Sequence, residues 1–237
     1  MGVTLKLATS LDGRIATASG ESRWITGEEA RAAVHRLRAE HHAVVVGIGT
    51  AMADDPELTV RLPGYDGPQP ARVVLDSHGR LPATSKLVRT AADVPTYVVR
   101  LPLTASSPGS TGGPKRPLGL DRPVEPGDDG LEDAGVRVIE VVVGPDGRPA
   151  LGPAVAALEA AGITRLFVEG GGQVSASFLR AGLVNRIEWF RAPMVLGSEG
   201  RPCLSALELA RLADAPRFRR IAVEALGSDL WERYEVA

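Results

Sequence analysis

The sequence is poor in cysteine, in net charge and in long apolar runs. Cys203 is the only cysteine among 237 residues, which excludes an intrachain disulfide and a cysteine metal cluster and suits a reducing cytoplasm. The formal net charge is −2, so the chain carries no basic footprint for nucleic acid. No stretch approaches the length of a membrane span, and the first residues follow a strand pattern, not that of a signal peptide. We expect a cytoplasmic protein with neither a nucleic-acid nor a membrane partner.

The length fits one α/β domain or two small ones, and we expect a single domain over residues 1–237. The hydrophobic content of 44% and charged content of 24% are ordinary for a soluble protein that buries a sizeable core. Residues 102–133 are instead rich in Pro, Gly, Ser and Asp, and we interpret them as a mobile surface insertion. The four histidines lack a recognisable ligand spacing; we expect them on the solvated surface and expect no metal site.

Short β-rich runs alternate with helical patterns along most of the chain. The first run places Lys6 on the face opposite Val3 and Leu5. The last runs alternate apolar and polar residues like antiparallel edge strands. These patterns predict an α/β fold: a mixed, mostly parallel sheet flanked by helices, with antiparallel strands at its C-terminal edge. The other predicted strands are 43–47, 72–76, 96–100, 136–143 and 166–168, and the C-terminal ones are 186–191, 217–224 and 230–236.

Helix signals separate several of these runs. Thr26, followed three residues later by Glu29, forms a capping box that predicts the start of the first helix. A second helix is predicted over residues 153–161, with Gly162 as its end.

Three consecutive glycines, Gly170 to Gly172, follow the buried run that ends in Glu169. Helical spacing resumes at Val174, so the pattern is strand, turn and helix N-terminus. Bare amides at a helix start form an anion site that suits a phosphate; alternatively, the glycines only permit positive φ at an ordinary turn. A second glycine turn, residues 47–50, also follows a buried run. If the two strands are parallel neighbours, both turns belong to one ligand crevice.

The familiar nucleotide motifs are absent. The first strand leads into Ser10-Leu11-Asp12-Gly13 in place of a Gly-x-Gly-x-x-Gly turn, and Gln173, not a Walker lysine, follows the late glycines. A bound nucleotide would therefore require another architecture.

An ordered set of motifs over nearly the whole chain resembles the reductase domain of the riboflavin-biosynthesis deaminase/reductase. The resemblance implies a dihydrofolate-reductase-like fold, NADPH as cofactor, a homodimer, and reduction of a phosphoribosylamino-pyrimidine to its ribitylamino form. The zinc-deaminase pattern, His-x-Glu with a later Pro-Cys-x-x-Cys, is missing, so a separate deaminase is expected. The matching segments are 5–13, 19–26, 53–61, 72–77, 168–172 and 192–197.

The resemblance also implies contact residues. For the cofactor they are Ala8, Trp24, Thr50, Asp54, Ser77, Gly171, Gly172, Gln173, Val174 and Ser175. For the substrate they are Ser22, Arg38, Leu58, Arg61 and Glu169.

For several of these residues the sequence supports two explanations: a ligand-binding role and a simpler structural one. Guanidinium groups of Arg38 and Arg61 match a 5′-phosphate, although a helix C-terminus and a solvated strand end also explain them. Glu169 could accept hydrogen bonds from a pyrimidine edge or lie in water. Trp24 could pack on a ring or anchor a loop. Ser77, near Arg80, could meet the 2′-phosphate of NADPH or serve turn chemistry.

Lys6 and Asp54 are the predicted proton-handling pair. Reduction at the sugar C1′ requires a proton on a neighbouring heteroatom, which a lysine could donate while a carboxylate orients it. The simpler alternatives are a snorkelling lysine and a helix-stopping aspartate beside Pro56.

Three functions are compatible with these residues. The first is the NADPH-dependent pyrimidine reductase, acting before or after deamination. The second is a reductase of a pterin such as dihydrofolate, which would not need Arg38 and Arg61. The third is a nucleotide-binding regulator without catalysis, which would not need Lys6, Asp54 and Glu169.

Overall fold

A computed structural model describes residues 1–103 and 130–237. The strands are β1 Gly2–Thr9, β2 Arg14–Ala16, β3 Ala43–Gly47, β4 Ala71–Leu75, β5 Thr96–Arg100, β6 Arg137–Glu140, β7 Arg165–Val168, β8 Arg186–Arg191, β9 Arg201–Pro202, β10 Phe218–Leu226 and β11 Asp229–Val236. The helices are α1 Glu28–Glu40, α2 Ile48–Asp54, α3 Lys86–Arg89, α4 Leu151–Ala160 and α5 Gly172–Arg180, with a 3₁₀ turn at Leu212–Asp214.

Within the described ranges, nine strands form one sheet in the order β10-β11-β8-β1-β7-β3-β4-β5-β6. Every neighbouring pair from β8 to β6 in this order is parallel. Strands β10 and β11 pair antiparallel with each other, and β11 pairs antiparallel with β8. This confirms the mixed, mostly parallel sheet with antiparallel strands at its C-terminal edge. Strands β2 and β9 form a separate two-stranded ribbon.

The two faces of the sheet are buried by different helices. On one face, Leu5 and Val168 pack with Val155 of α4 and Phe178 of α5. On the other face, Phe167 and Phe190 pack with the α1 stripe, which includes Ala30, Ala33 and Leu37. Burying a Leu or Phe side chain contributes about 1.5–3 kcal/mol, so these contacts hold the central strands in place. Lys6 lies on the face opposite Val3 and Leu5, as the alternation predicts.

The predicted capping box is wrong. Helix α1 begins at Glu28 with Gly27 as its N-cap, and no side chain caps it locally. The Gly27 amide donates instead to Oδ2 of Asp229, 2.6 Å away. A carboxylate from the C-terminal strand therefore replaces the Thr26 hydroxyl, and it also suits the positive end of the helix dipole.

Two of the histidines contradict the expectation of a solvated surface. One ring nitrogen of His41, Nε2, lies 2.9 Å from Thr4 Oγ1 and the other, Nδ1, lies 2.6 Å from the Leu37 carbonyl oxygen. The Nδ1 of His35 accepts a hydrogen bond from the Arg61 amide. His35 lies in α1 and His41 is its C-cap residue, so the helix and its end hold both rings against neighbouring elements.

Most of the predicted insertion, residues 102–133, lies outside the described residues. Its C-terminal end does not fit the prediction, because Leu131 is only 1% exposed and packs with Val98 and Val136. The core therefore resumes before residue 133. Strand β6 is also shorter than its predicted run, ending at Glu140.

Candidate active site

A cleft of about 1720 Å³ lies along the edge where the parallel strands end. Strand β3 pairs with β7 in parallel, so the turns that follow Gly47 and Val168 lie side by side, as predicted for parallel neighbours. A Cβ placed on Gly171 would lie 3.7 Å from Thr50 Oγ1. The two glycine turns thus form the middle of one site.

The N-terminus of α5 presents main-chain donors to this cleft. Within the described residues, the amides of Gly172, Gln173 and Val174 have no hydrogen-bond acceptor. The next amide, that of Ser175, already donates to the Gly171 carbonyl at 3.1 Å. Three amides at the positive end of a helix are able to bind an anion.

The three glycines differ in what requires them. A Cβ on Gly170 would come within 2.6 Å of Val174, and one on Gly172 within 2.7 Å of the Pro202 carbonyl oxygen. Internal packing therefore accounts for these two. Gly171 has φ −66°, and a Cβ there would make only ordinary contact at 3.7 Å. Nothing inside the described protein demands glycine at 171, which leaves space in front of the bare backbone.

The expectation for Ser175 is not met. Its side chain is fully buried, and its hydroxyl donates to the Gly170 carbonyl at 3.4 Å. Ser175 lies one position too far into the helix, where its amide is used internally and its side chain faces the core. Neither group reaches the cleft.

A buried charge cluster forms the wall of the cleft beside β1 and β7. The guanidinium of Arg38 donates from Nε to Oε1 of Glu169 at 2.6 Å, from Nη2 to Oε2 at 3.1 Å, and from Nη1 to the Thr59 carbonyl at 2.9 Å. The guanidinium fork of Arg38 is thus matched by a carboxylate, and its remaining N–H groups stay compatible with the predicted phosphate contact. Arg38 also orients Glu169.

The electrostatics of the cluster keep Glu169 ionised. Burial acts to raise the pKa of Glu169, but the charge and hydrogen bonds of Arg38, followed by the charge of Lys6, outweigh it and lower the pKa. Burial also acts to lower the pKa of Arg38, and Glu169 more than compensates. The pKa of Lys6 is lowered, chiefly by burial and further by Arg38, while Glu169 opposes the shift. Lys6 is thus a more readily deprotonated lysine held beside a carboxylate.

The predicted pairing of Lys6 with Asp54 differs from this arrangement. Asp54 is exposed at the end of α2, and the charges that act on Lys6 belong to Glu169 and Arg38. Asp54 still lines the cleft. Strand β7 pairs with β1, so the carboxylate that acts on Lys6 is Glu169 at the end of β7 and not Asp54 at the end of α2.

Arg61 lies at the end of the cleft that holds the charge cluster of Lys6, Glu169 and Arg38. Most of its side chain is available to a ligand. Its side chain is 53% exposed and makes one ion pair, from Nη1 to Glu57 Oε2 at 3.5 Å. Its amide donates to His35 Nδ1 at 3.1 Å. The Nη1 of Arg61 also donates to Thr59 Oγ1 at 3.4 Å. Arg61 is the more exposed of the two arginines predicted to bind phosphate, and it keeps Nε and Nη2 for a ligand.

The opposite end of the cleft is built by the loop after β4. Asp76 is fully buried, and its Oδ2 accepts hydrogen bonds from the amides of Arg80 and Leu81 at 2.5 Å and 2.8 Å. This turn holds Ser77 and Arg80 at the cleft. A hydroxyl and a guanidinium are thus presented together, which suits an anionic group.

The remaining predicted residues differ in how they face the cleft. Trp24 is 69% exposed, with the guanidinium of Arg31 4.4 Å from its ring centroid. It is therefore not a buried anchor. Leu58 is 3% exposed, so its main chain is what it offers to a ligand. Ala8 and Ser22 also line the cleft.

His35 is the principal cleft residue that the sequence reasoning missed. It lies three positions before Arg38 on α1, and i and i+3 share a helix face. That spacing was a usable signal. Arg201 also lines the cleft, but it lies in the short ribbon strand β9, and no local pattern marked it.

Residues 1–103 and 130–237 contain no group of three or more His, Cys, Asp or Glu side chains arranged to hold a metal ion. None of the helices in these ranges has the length and apolar character needed to cross a membrane.

Comparison with known proteins places this geometry in a family. The family model described as the RibD C-terminal domain matches residues 2–107 and 128–231. A 2,5-diamino-6-ribosylamino-4(3H)-pyrimidinone 5′-phosphate reductase from Methanothermobacter thermautotrophicus is 36% identical, covering 99% of this chain and 97% of its own. The riboflavin biosynthesis protein RibD of Actinobacillus pleuropneumoniae is 33% identical over 99% of this chain and 56% of its own length.

A solved structure gives the same result. Acinetobacter baumannii RibD superimposes with a TM-score of 0.77 at 32% identity, covering 100% of this chain and 58% of that one. The chain thus spans little more than half the length of the RibD proteins that it matches. The match confirms the dihydrofolate-reductase-like α/β fold predicted from the motifs. The chain belongs to the RibD C-terminal domain family, and it is related to reductases of riboflavin biosynthesis.

Proposed function

We propose that this protein uses NADPH to reduce the ribosyl group of 5-amino-6-(5-phosphoribosylamino)uracil to the ribitylamino product. The observation that carries the proposal is the Lys6–Glu169–Arg38 cluster beside the unpaired amides of α5 in one cleft. A proton source and an anion-binding helix start are the two features that such a reduction requires of the protein.

The cofactor residues fit a dinucleotide. The amides of Gly172, Gln173 and Val174 would bind the diphosphate, with the bare backbone of Gly171 and the hydroxyl of Thr50 beside it. Ser77, with Arg80, would meet the adenosine 2′-phosphate. Ala8, Trp24 and Asp54 line the same cleft and are proposed as further contacts. Ser175 is left out because both of its donors are used internally.

The substrate residues fit a phosphorylated sugar linked to a pyrimidine. Arg61 would bind the 5′-phosphate through its unused donors. Glu169, held ionised by Arg38, would accept hydrogen bonds from N–H groups of the pyrimidine with its remaining lone pairs. Ser22 and the main chain of Leu58 would complete the pocket.

The chemistry requires one proton to be placed accurately. Bound NADPH would supply the hydride that adds to C1′ of the open-chain imine. The nitrogen attached to C1′ must then gain a proton, so that a C–H and an N–H bond form as the C=N double bond is lost. Lys6 would donate that proton, and burial, which lowers its pKa, makes the transfer easier. Glu169 and Arg38 would keep the lysine oriented.

A second substrate is favoured by one specific observation. The relative that matches this chain over 97% of its own length is named as a reductase of the 2,5-diamino pyrimidinone phosphate, which has not been deaminated. Reduction of a pterin such as dihydrofolate is less well supported, because it gives the exposed Arg61 no phosphate to bind. A regulator without catalysis gives Lys6 no role.

Three further proposals concern the protein's surroundings. We propose a cytoplasmic enzyme, with deamination carried out by residues outside these 237 because they lack the deaminase motif. We also propose a homodimer that uses the C-terminal edge of the sheet. Strand β10 is the outermost strand on that side in the described ranges, and Val223 and Val236 are exposed there. Such an edge pairs readily with a second copy.

The test is to mix purified protein with NADPH and each of the two pyrimidine phosphates and to follow cofactor absorbance. Oxidation with the deaminated compound supports the main proposal, and a preference for the diamino compound supports the second candidate. Oxidation with dihydrofolate alone would support the pterin alternative. No oxidation with any of the three contradicts a reductase of this class. Light scattering gives the oligomeric state separately.

A further inference from the structure

His35 lines the cleft together with Arg38 and Arg61, and one hydrogen bond determines which of its ring nitrogens carries the proton. Its Nδ1 accepts from the Arg61 amide at 3.1 Å. An imidazole always carries at least one ring proton, and a nitrogen that accepts cannot carry it. The neutral ring therefore has its proton on Nε2, so His35 is a defined donor.

The ring stays neutral in ordinary buffers. Burial, followed by the positive charges of Arg38 and Arg61, lowers the pKa of His35 to about 4, and Glu169 and the Thr59 carbonyl oppose the shift less strongly. These groups come from α1, from the segment after α2 and from the end of β7, so they surround the ring. A third positive charge would be unfavourable between the two arginines.

No hydrogen bond from Nε2 is present within the described residues, although the Thr59 carbonyl is near enough to the ring to act on its pKa. That carbonyl already accepts from Arg38 Nη1 at 2.9 Å. A hydrogen bond to an ionised oxygen is roughly twice as strong as one to a neutral carbonyl. An anion in the cleft would therefore compete successfully for this donor.

We propose that His35 binds the substrate by donating Nε2–H to a phosphate oxygen, beside the guanidinium of Arg61. This inference rests on the proposed function, because it needs a phosphorylated sugar at this end of the cleft. The Arg61 amide holds the ring, and the Arg61 side chain supplies the charge, so one residue links both parts of the phosphate site. His35 would thus add a neutral donor to a phosphate site whose charge comes from arginine.

Nitrogen-15 NMR of histidine-labelled protein tests the proposal without turnover. The chain has four histidines, and the other three lie outside the cleft, where they serve as internal controls. Without ligand, His35 should show the Nε2–H tautomer from pH 5 to pH 8. Inorganic phosphate or ribose 5-phosphate should shift its Nε2 signal and raise its titration midpoint, because the bound anion stabilises the charged ring. An Nδ1–H tautomer, or a His35 signal that neither probe moves, overturns the proposal.

Matched variants give a second readout. H35F removes the donor and keeps a flat ring, and it should weaken ribose 5-phosphate binding about tenfold. H35Q offers an acceptor and a donor and should recover most of that loss. Equal loss in H35F and H35Q overturns the proposal, and so does no loss in H35F. If the pyrimidine phosphates are not reduced but ribose 5-phosphate still shifts His35, the proposed reaction fails and the phosphate site stands.

Discussion

Arg38 and Glu169 are 131 positions apart in the sequence and meet in a two-point ion pair at the wall of the cleft. Both side chains are about nine-tenths buried, with 11% and 9% exposure. A buried pair of this kind orients its members more than it stabilises the fold, but removing one partner strands the other charge.

Substituting Glu169 should therefore destabilise the folded protein. E169Q should lower the free energy of unfolding by about 3 kcal/mol, because the buried Arg38 loses its counter-charge. Urea denaturation measures this. E235Q is the control, since Glu235 pairs with Arg219 at 3.7 Å on an exposed surface and should change stability by less than about 1 kcal/mol. Equal losses would show that the burial of the Arg38 pair does not matter.

Lys6 provides a prediction about pH and rate. A lysine that donates a proton must be protonated, so kcat should fall as the pH rises through its pKa, which burial lowers below the ordinary value. K6M should lower kcat about 10²–10⁴-fold. R89M removes an exposed positive charge of α3 that does not line the cleft and should keep kcat. A K6M enzyme with a normal rate and pH profile would exclude Lys6 as the proton donor.

Arg61 provides a prediction about affinity. R61A should raise the substrate KM about 10–100-fold while changing the KM of NADPH little, because the lost guanidinium contacts are charge-assisted hydrogen bonds to phosphate. Steady-state kinetics with each reactant varied in turn separates the two effects. R89A removes an exposed arginine of α3 that does not line the cleft as a control. A similar rise in both KM values would assign Arg61 a structural role.

A substitution at Gly171 tests the proposed diphosphate site at the N-terminus of α5. G171A should fold normally, because its Cβ would meet only Thr50 Oγ1 at 3.7 Å, yet it should weaken NADPH binding about tenfold or more by standing between the diphosphate and the amides. Fluorescence titration measures the Kd. G152A adds a methyl in α4 where nothing lies within 4 Å and outside the cleft. Unchanged NADPH affinity in G171A would place the diphosphate elsewhere.

Asp12 determines part of the loss of folding stability at low pH. It accepts hydrogen bonds from Ser10 Oγ at 2.6 Å and from the amides of Leu196 and Gly197 at 3.1 Å and 2.8 Å. The Ser10 hydrogen bond is the largest of the contributions that lower its pKa to about 2. The unfolded value is about 3.9, so Asp12 contributes stability above pH 4 that is lost as pH falls through 2. The Tm difference between wild type and D12N should shrink over that window. A constant difference would contradict the assignment.

The local parts of the site could be predicted from short-range pattern. A buried run ending in Glu169, three glycines and renewed helical spacing specify a strand, a turn and a helix start without reference to the rest of the chain. The outcome at Ser175 shows the limit of this reasoning. Proximity to a helix start does not say which way a side chain points, and the packing of α5 against the sheet turned that hydroxyl inward.

Long-range partners were not predictable in the same way. Thr26 and Glu29 form a valid capping signal, but the chain uses Asp229 from its last strand. Asp54 was the reasonable partner for Lys6 until the strand order brought Glu169 alongside it. In the first case a distant carboxylate displaced a local candidate, and in the second the carboxylate after β7 displaced the one at the end of α2.

The sequence by itself determined most of the secondary-structure elements of this protein. Hydrophobic periods of two and 3.6 residues, glycine turns and composition are local properties, so they persist in any arrangement of the chain. Tertiary structure alone decided which charges meet. Strand order and register bring Arg38 to Glu169 and His35 to Arg61, and these contacts depend on chain segments whose distance in the sequence carries no information about their distance in space.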